Sequence, residues 1–130
     1  MRWFSSIFVA LFLLAFVSCE KKPPLISFSQ TEIDLGTMAT NDAIHTYDVE
    51  FTNEGNDDLV IQAVFPSCEC VTVEGFDTIT SGGKKGAIHL RYTFSIYPPG
   101  DIERSITVTS NSSDTIRTEV FLHAKLKYAD

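Results

Sequence analysis

The chain has 130 residues, 44% of them hydrophobic, and a formal net charge of −7 from 10 Lys+Arg against 17 Asp+Glu. One compact domain is expected at this length, because two would each be small and hard to stabilise. The acidic balance argues against a nucleic-acid binder, which needs basic surface for phosphates, and the apolar residues are too unevenly spread for a polytopic membrane protein. Of the first 18 residues, 14 are apolar, against 43 of the remaining 112.

Arg2 supplies a short positive start, and Ile7 to Val17 is an unbroken run of 11 apolar residues. That length suits the apolar region of a signal peptide and falls short of the roughly 20 residues that span a bilayer. The run ends in Phe16-Val17-Ser18-Cys19. This resembles the bacterial lipobox, with Phe16 where Leu is usual. The resemblance implies that the leader 1–18 is removed, that Cys19 is acylated as the new N-terminus, and that several acyl chains anchor it firmly to a membrane. The other reading is ordinary cleavage near Ser18, with Cys19 left as a free thiol. Residues 19–24 then form the lipidated Cys and a short tether, stiffened by Pro23 and Pro24. The compartment implied is the bacterial cell envelope. The outer membrane is favoured over the inner, and Lys21 and Lys22 provide no acidic sorting signal.

Residues 25–130 read as one all-β domain. From Cys19 onward Thr+Val+Ile total 30 residues while Ala+Leu total 12, a bias toward strands. No stretch places apolar residues at helical spacing over three turns. Period-2 alternation is clear at Val49 and Phe51, at Leu59 and Ile61, and at Ile88, Leu90, Tyr92 and Phe94. It recurs at Ile106 and Val108, then at Val120, Leu122, Ala124 and Leu126, so each run has one buried and one wet face. Turn-forming residues separate the runs at Asn53–Asp58, Ser81–Gly86, Pro98–Asp101 and Ser110–Asp114. The Ser81–Gly86 stretch reads as a hairpin turn. About seven short strands with regular turns predict a β-sandwich.

The order of these features resembles a known family. Asp34-Leu35-Gly36 follows Phe28, and Phe51-Thr52-Asn53-Glu54-Gly55 closes one run. Ser67-Cys68-Glu69-Cys70-Val71 comes next, then Gly82, Gly86, Ile88 and Leu90, and Ser110-Asn111 closes the pattern. The chain is similar over roughly Ser27 to Leu126 to the bacterial domain-of-unknown-function family 1573. That resemblance implies an immunoglobulin-like sandwich of the pilus-chaperone and sperm-protein type, found largely in exported proteins and lipoproteins, with no general activity. Three positions depart from its pattern: Glu69 replaces Gly, Val71 replaces Thr, and Ala124 replaces Gly.

Cys68 and Cys70 are the candidate site. In an export compartment the default is a disulfide. A regular strand would set their Cα atoms about 6.6 Å apart, at the outer limit for a bridge, so bonding requires a turn, which Pro66 and Ser67 favour. A structural disulfide or thiol pair competes with a redox-active pair and with a soft-metal site for copper or zinc. A closed zinc site normally takes four ligands, and the other candidates are His45, His89 and His123. His89 and His123 alternate with apolar residues and should face outward. Glu69 opposes the thiolate character that reactive cysteines need. No hydrolase, P-loop, dinucleotide or zinc-protease motif is present. The expectation is a non-catalytic, membrane-anchored interaction or structural module with no cofactor, meeting a protein partner in the envelope. The alternative is a thiol or copper/zinc-handling protein using Cys68 and Cys70.

Overall fold

A computed structural model describes residues 20–41 and 43–129; the leader, Cys19 and the acylation expected there lie outside them. Nine strands follow in order: β1 (Ile26–Phe28), β2 (Glu32–Thr40), β3 (His45–Asn53), β4 (Leu59–Pro66), β5 (Val71–Phe76), β6 (Ile79–Thr80), β7 (Lys85–Tyr92), β8 (Gly100–Ser110) and β9 (Arg117–Tyr128). The count exceeds seven by two short strands, since β1 has three residues and β6 two. Neither is long enough to display a period. No helix occurs among the described residues, so none there is long and apolar enough to cross a membrane.

The strands form two sheets, ordered β1-β3-β7-β5 and β2-β9-β8-β4-β6. All the alternating residues named above face the space between them. Val49, Phe51, Ile88 and Leu90 from one sheet meet Leu59, Ile61, Ile106, Val108, Val120 and Leu122 from the other, each at most 2% exposed. One position in this core must be glycine. Gly86 sits opposite Phe51 in the β3–β7 ladder, and a β-carbon there would run into the Phe51 ring and the Thr80 hydroxyl.

The Ser81–Gly86 stretch is not a hairpin turn. β6 pairs with β4 in one sheet, whereas β7 pairs with β3 and β5 in the other, so the chain crosses the sandwich here. The crossing is fixed by the Asn53 backbone, which donates to the Lys84 carbonyl (2.9 Å) and accepts from the Gly83 amide (2.8 Å). Gly83 itself adopts φ 75°, and a β-carbon on Gly82 would strike the Asn56 backbone.

β2 is the other departure from simple alternation. It is an edge strand and pairs in parallel with β9, Glu32 opposite Phe121 and Thr40 opposite Tyr128. The register shifts between Asp34 and Thr37, where Gly36 takes φ 79° and its amide donates to the Asp34 carboxylate at 2.8 Å. This bulge lets Ile33 and Met38, five positions apart, both point into the core.

The strand directions give the sandwich two distinct ends. One gathers residues 20–25, the Asn53–Asp58 loop, the Ser81–Lys84 crossing and the Ser110–Ile116 turn. The other gathers residues 41 and 43–44, the Ser67–Cys70 loop, the Thr93–Pro99 loop and Tyr128. With 12 residues in β9, the ends are roughly 36 Å apart.

Candidate functional site

Cys68 and Cys70 lie in the turn that carries the chain from β4 to β5. Their Cα atoms are 5.3 Å apart and the sulfurs are drawn together as a bonded pair. The turn supplies the shortening that an extended strand could not, with the Val71 amide reaching back toward the Cys68 carbonyl at 3.4 Å. It is fastened on both sides. Ser67 and Ser105 exchange two hydrogen bonds, Ser67 amide to Ser105 carbonyl at 2.8 Å and Ser105 amide to Ser67 hydroxyl at 2.9 Å. The Thr93 amide donates to the Cys70 carbonyl at 3.1 Å. Cys70 joins the core, Cys68 packs against it half-buried, and Glu69 projects into water at the apex.

Around Cys70 lies a shallow depression lined by Ile44, Thr72, Arg91 and Tyr92. Ile44 is 62% exposed, and at the same end of the sandwich Ile96 is 84% and Tyr128 75% exposed. Tyr97, which packs edge-on against Phe94, is covered by the Arg104 guanidinium 4.9 Å above its ring. This end therefore combines large apolar side chains left in water with a rigid, cross-tied loop.

The histidines are not gathered at the cysteines. His89 lies on the outer face of the first sheet, its Nδ1 2.7 Å from Asp48 Oδ1. The hydrogen bond and charge of Asp48 raise its pKa above 6.5, with Asp77 adding to the effect. His123 lies on the outer face of the second sheet, between Glu32 of β2 and Glu103 of β8. Its pKa is also raised, chiefly by the hydrogen bond to Glu32, then by the charges of Glu32, Glu103 and Asp34. His45 stacks on Tyr92 with ring centroids 5.6 Å apart, but β7 separates its strand from β5, so two strand spacings, about 10 Å, lie between. Among the described residues no group of three or more His, Cys, Asp or Glu is arranged to hold a metal ion.

The opposite end is organised by Asn53, which sequence reading places at the start of the turn Asn53–Asp58. It is fully buried. Its Oδ1 accepts from the Leu25 amide (3.3 Å) and the Gly55 amide (3.0 Å), and its Nδ2 donates to the Asp57 carbonyl (2.7 Å) and the Thr80 carbonyl (2.9 Å). All four hydrogen-bonding positions of the amide are thus used. Residues 20–24, of the segment 19–24 expected to be a tether, run along this node together with Leu25. The Lys22 carbonyl accepts from the Asn56 and Asp57 amides at 3.0 and 3.2 Å, the Pro24 carbonyl from Ser113 at 2.8 Å, and the Leu25 carbonyl from Glu54 at 2.8 Å. Asn56 Nδ2 reaches the Glu20 carbonyl at 2.8 Å, and the Ile26 amide donates to the buried Ser112 hydroxyl at 3.0 Å. Gly55 has no room for a β-carbon because Pro23 lies directly on it. The Phe-x-Asn-x-Gly spacing was the visible signal; the partner segment was not.

No curated protein matches the chain. Among solved structures, a protein of unknown function from Porphyromonas gingivalis W83 superposes with a TM-score of 0.70 at 15% identity, over 86% of this chain and 51% of that one. The chain thus spans about half of that protein's length. The periplasmic chaperone SfaE gives a TM-score of 0.61 at 10% identity, covering 78% and 57%. PapD-like domain 7 of human CEP192 gives 0.59 at 10% identity, covering 83% and 89%. At such identities the likeness establishes the fold alone, an immunoglobulin-like, PapD-like sandwich. The model of the family described as protein of unknown function DUF1573 matches residues 26–125, from the first strand into the last, and the chain belongs to that family.

Proposed function

We propose that the protein is a non-catalytic interaction module of the bacterial cell envelope, held at a membrane by acylation of Cys19. The observation that carries this reading is the end bearing Cys68 and Cys70. There Ile44, Ile96 and Tyr128 each stand in water on loops and a strand end, away from the N-terminal segment. Phe65, near the end of β4, adds a fourth, against Ile79 and Ile116 exposed at the opposite end, and such a majority at one end of a small domain suits a contact surface. The occurrence of this sandwich in a periplasmic chaperone is in keeping with a protein-facing role. In this reading Cys68 and Cys70 are an oxidised pair that shapes the contact loop. Thiol or copper/zinc chemistry would need both thiolates free. The pairing of the sulfurs with each other, and the acidic Glu69 between them, favour the structural role.

Two measurements test the proposal. Wild-type chain expressed in a bacterium should sediment with membranes, and Cys19→Ser should not. A photo-crosslinking residue at Ile96 should give discrete protein adducts in living cells, and one at exposed Arg117, at the opposite end of β9, should not. Equal labelling at both positions would remove the case for a contact surface at this end.

A further inference from the structure

We infer that the anchored domain stands end-on, with the Asn53–Asp58, Ser81–Lys84 and Ser110–Ile116 loops against the lipid headgroups and the Cys68–Cys70 end pointing away. This rests on acylation at Cys19 and adds to it a fixed orientation. A free tether of six residues would let the domain tumble. Here residues 20–25 leave little slack, since Glu20, Lys22, Pro24 and Leu25 each give a carbonyl to the loops beside them. Lys22 is three residues from Cys19, so the acyl-bearing position can lie no more than about 10 Å from that carbonyl. Residues 20–25 and the three loops belong to one end of the strands, so the lipid and these loops share a plane.

Charge favours the same orientation. The stretches 20–25, 53–58, 81–84 and 110–116 carry Lys21, Lys22 and Lys84 against Glu20, Glu54, Asp57, Asp58 and Asp114, and the adjoining first residues of β7 and β9, Lys85 and Arg117, bring the balance at this end to zero. The other described residues hold 4 Lys+Arg and 10 Asp+Glu, so the excess of six negative charges lies on the sheet faces and the far end. A neutral end can rest on an anionic surface, whereas lying down would press acidic faces onto it. The contact end is then displayed at the outer limit of the strands' length, clear of the bilayer.

The full acylated chain, in vesicles of phosphatidylethanolamine and phosphatidylglycerol with a nitroxide-labelled headgroup lipid, tests this. A fluorescent non-natural residue replaces Ser113 in one sample and Ile96 in another. Quenching should be severalfold stronger at 113 than at 96. Inserting a flexible Gly/Ser stretch directly after Cys19 should abolish that contrast while leaving the chain on the vesicles. Equal quenching in a chain that co-sediments with vesicles overturns the orientation alone. A chain that sediments no better than Cys19→Ser overturns the anchor and the orientation with it.

Discussion

Replacing Asn53 by Ala should destabilise the domain more than any other single polar substitution at its N-terminal end. The change deletes four hydrogen bonds, two accepted by Oδ1 and two donated by Nδ2. At about 1 kcal/mol each, net of solvent exchange, the loss is roughly 3–4 kcal/mol, and the stranded Gly55 amide and Thr80 carbonyl keep it from being smaller. That is a large share of the 5–15 kcal/mol usual for a domain, and corresponds to a fall in melting temperature of roughly 12–20 °C. Asn53→Asp sharpens the test. It keeps both acceptor contacts but turns an acceptor, and a buried charge, toward the Asp57 and Thr80 carbonyls, so it should cost at least as much as Ala. Urea unfolding gives the free energy, and amide exchange locates it. Leu25 and Gly55 amides should lose protection first while β7 stays protected. A loss below about 1 kcal/mol for Asn53→Ala, or an Asp variant as stable as wild type, would refute the assignment of Asn53 as the node that fastens residues 20–25.

Gly86→Ala should lower stability by about 1–3 kcal/mol, because neither the Phe51 ring nor Thr80 has room to yield; pairing it with Phe51→Leu should recover part of the loss, read by denaturant midpoint. Cys68→Ser/Cys70→Ser should cost only about 1.6 kcal/mol by the chain-entropy relation for a three-residue loop, and intact-mass analysis of alkylated wild type should show no adduct on either cysteine. His89 and His123 both hold protons more tightly folded than unfolded, so their stabilisation is complete below about pH 6.5 and fades as pH rises through the raised folded values. NMR titration should give both midpoints above 6.5, and the decline in melting temperature across that window should shrink in His89→Gln/His123→Gln.

The two-sheet architecture was legible because the apolar residues singled out in β3, β7, β8 and β9 recur at every second position, and each of them points inward. β2 was not legible by the same rule. Its bulge at Gly36 shifts the inward parity between Ile33 and Met38, so no period survives in the sequence, and nothing local announces a parallel partner ninety residues away. β6 is too short to show any pattern, which made the crossing at Ser81–Lys84 look like a hairpin. At the cysteines, the need for a turn could be argued from the rise of a strand. The ties that hold it, Ser67 to Ser105 and Thr93 to Cys70, join distant segments and leave no local trace. Asn53 is the sharpest case. Asn in a Gly-containing turn ordinarily faces water, and it is buried here where Leu25, the Gly55–Asp57 turn and Thr80 close on it from three separate segments.

The pairing of β2 has a kinetic consequence. Its whole ladder is with β9, beginning at Glu32 and Phe121, and the Ile26 amide likewise waits for Ser112. Joining residues 32 and 121 closes a loop whose length-dependent entropy alone is about 4 kcal/mol, and contacts so distant along the chain are formed slowly. The first cannot form until the last strand has been delivered, nor the second until the turn before it has. A chain exported N-terminus first would therefore emerge with edge strand β2 unpaired. The end that would sit at the lipid is finished only when the final twenty residues arrive.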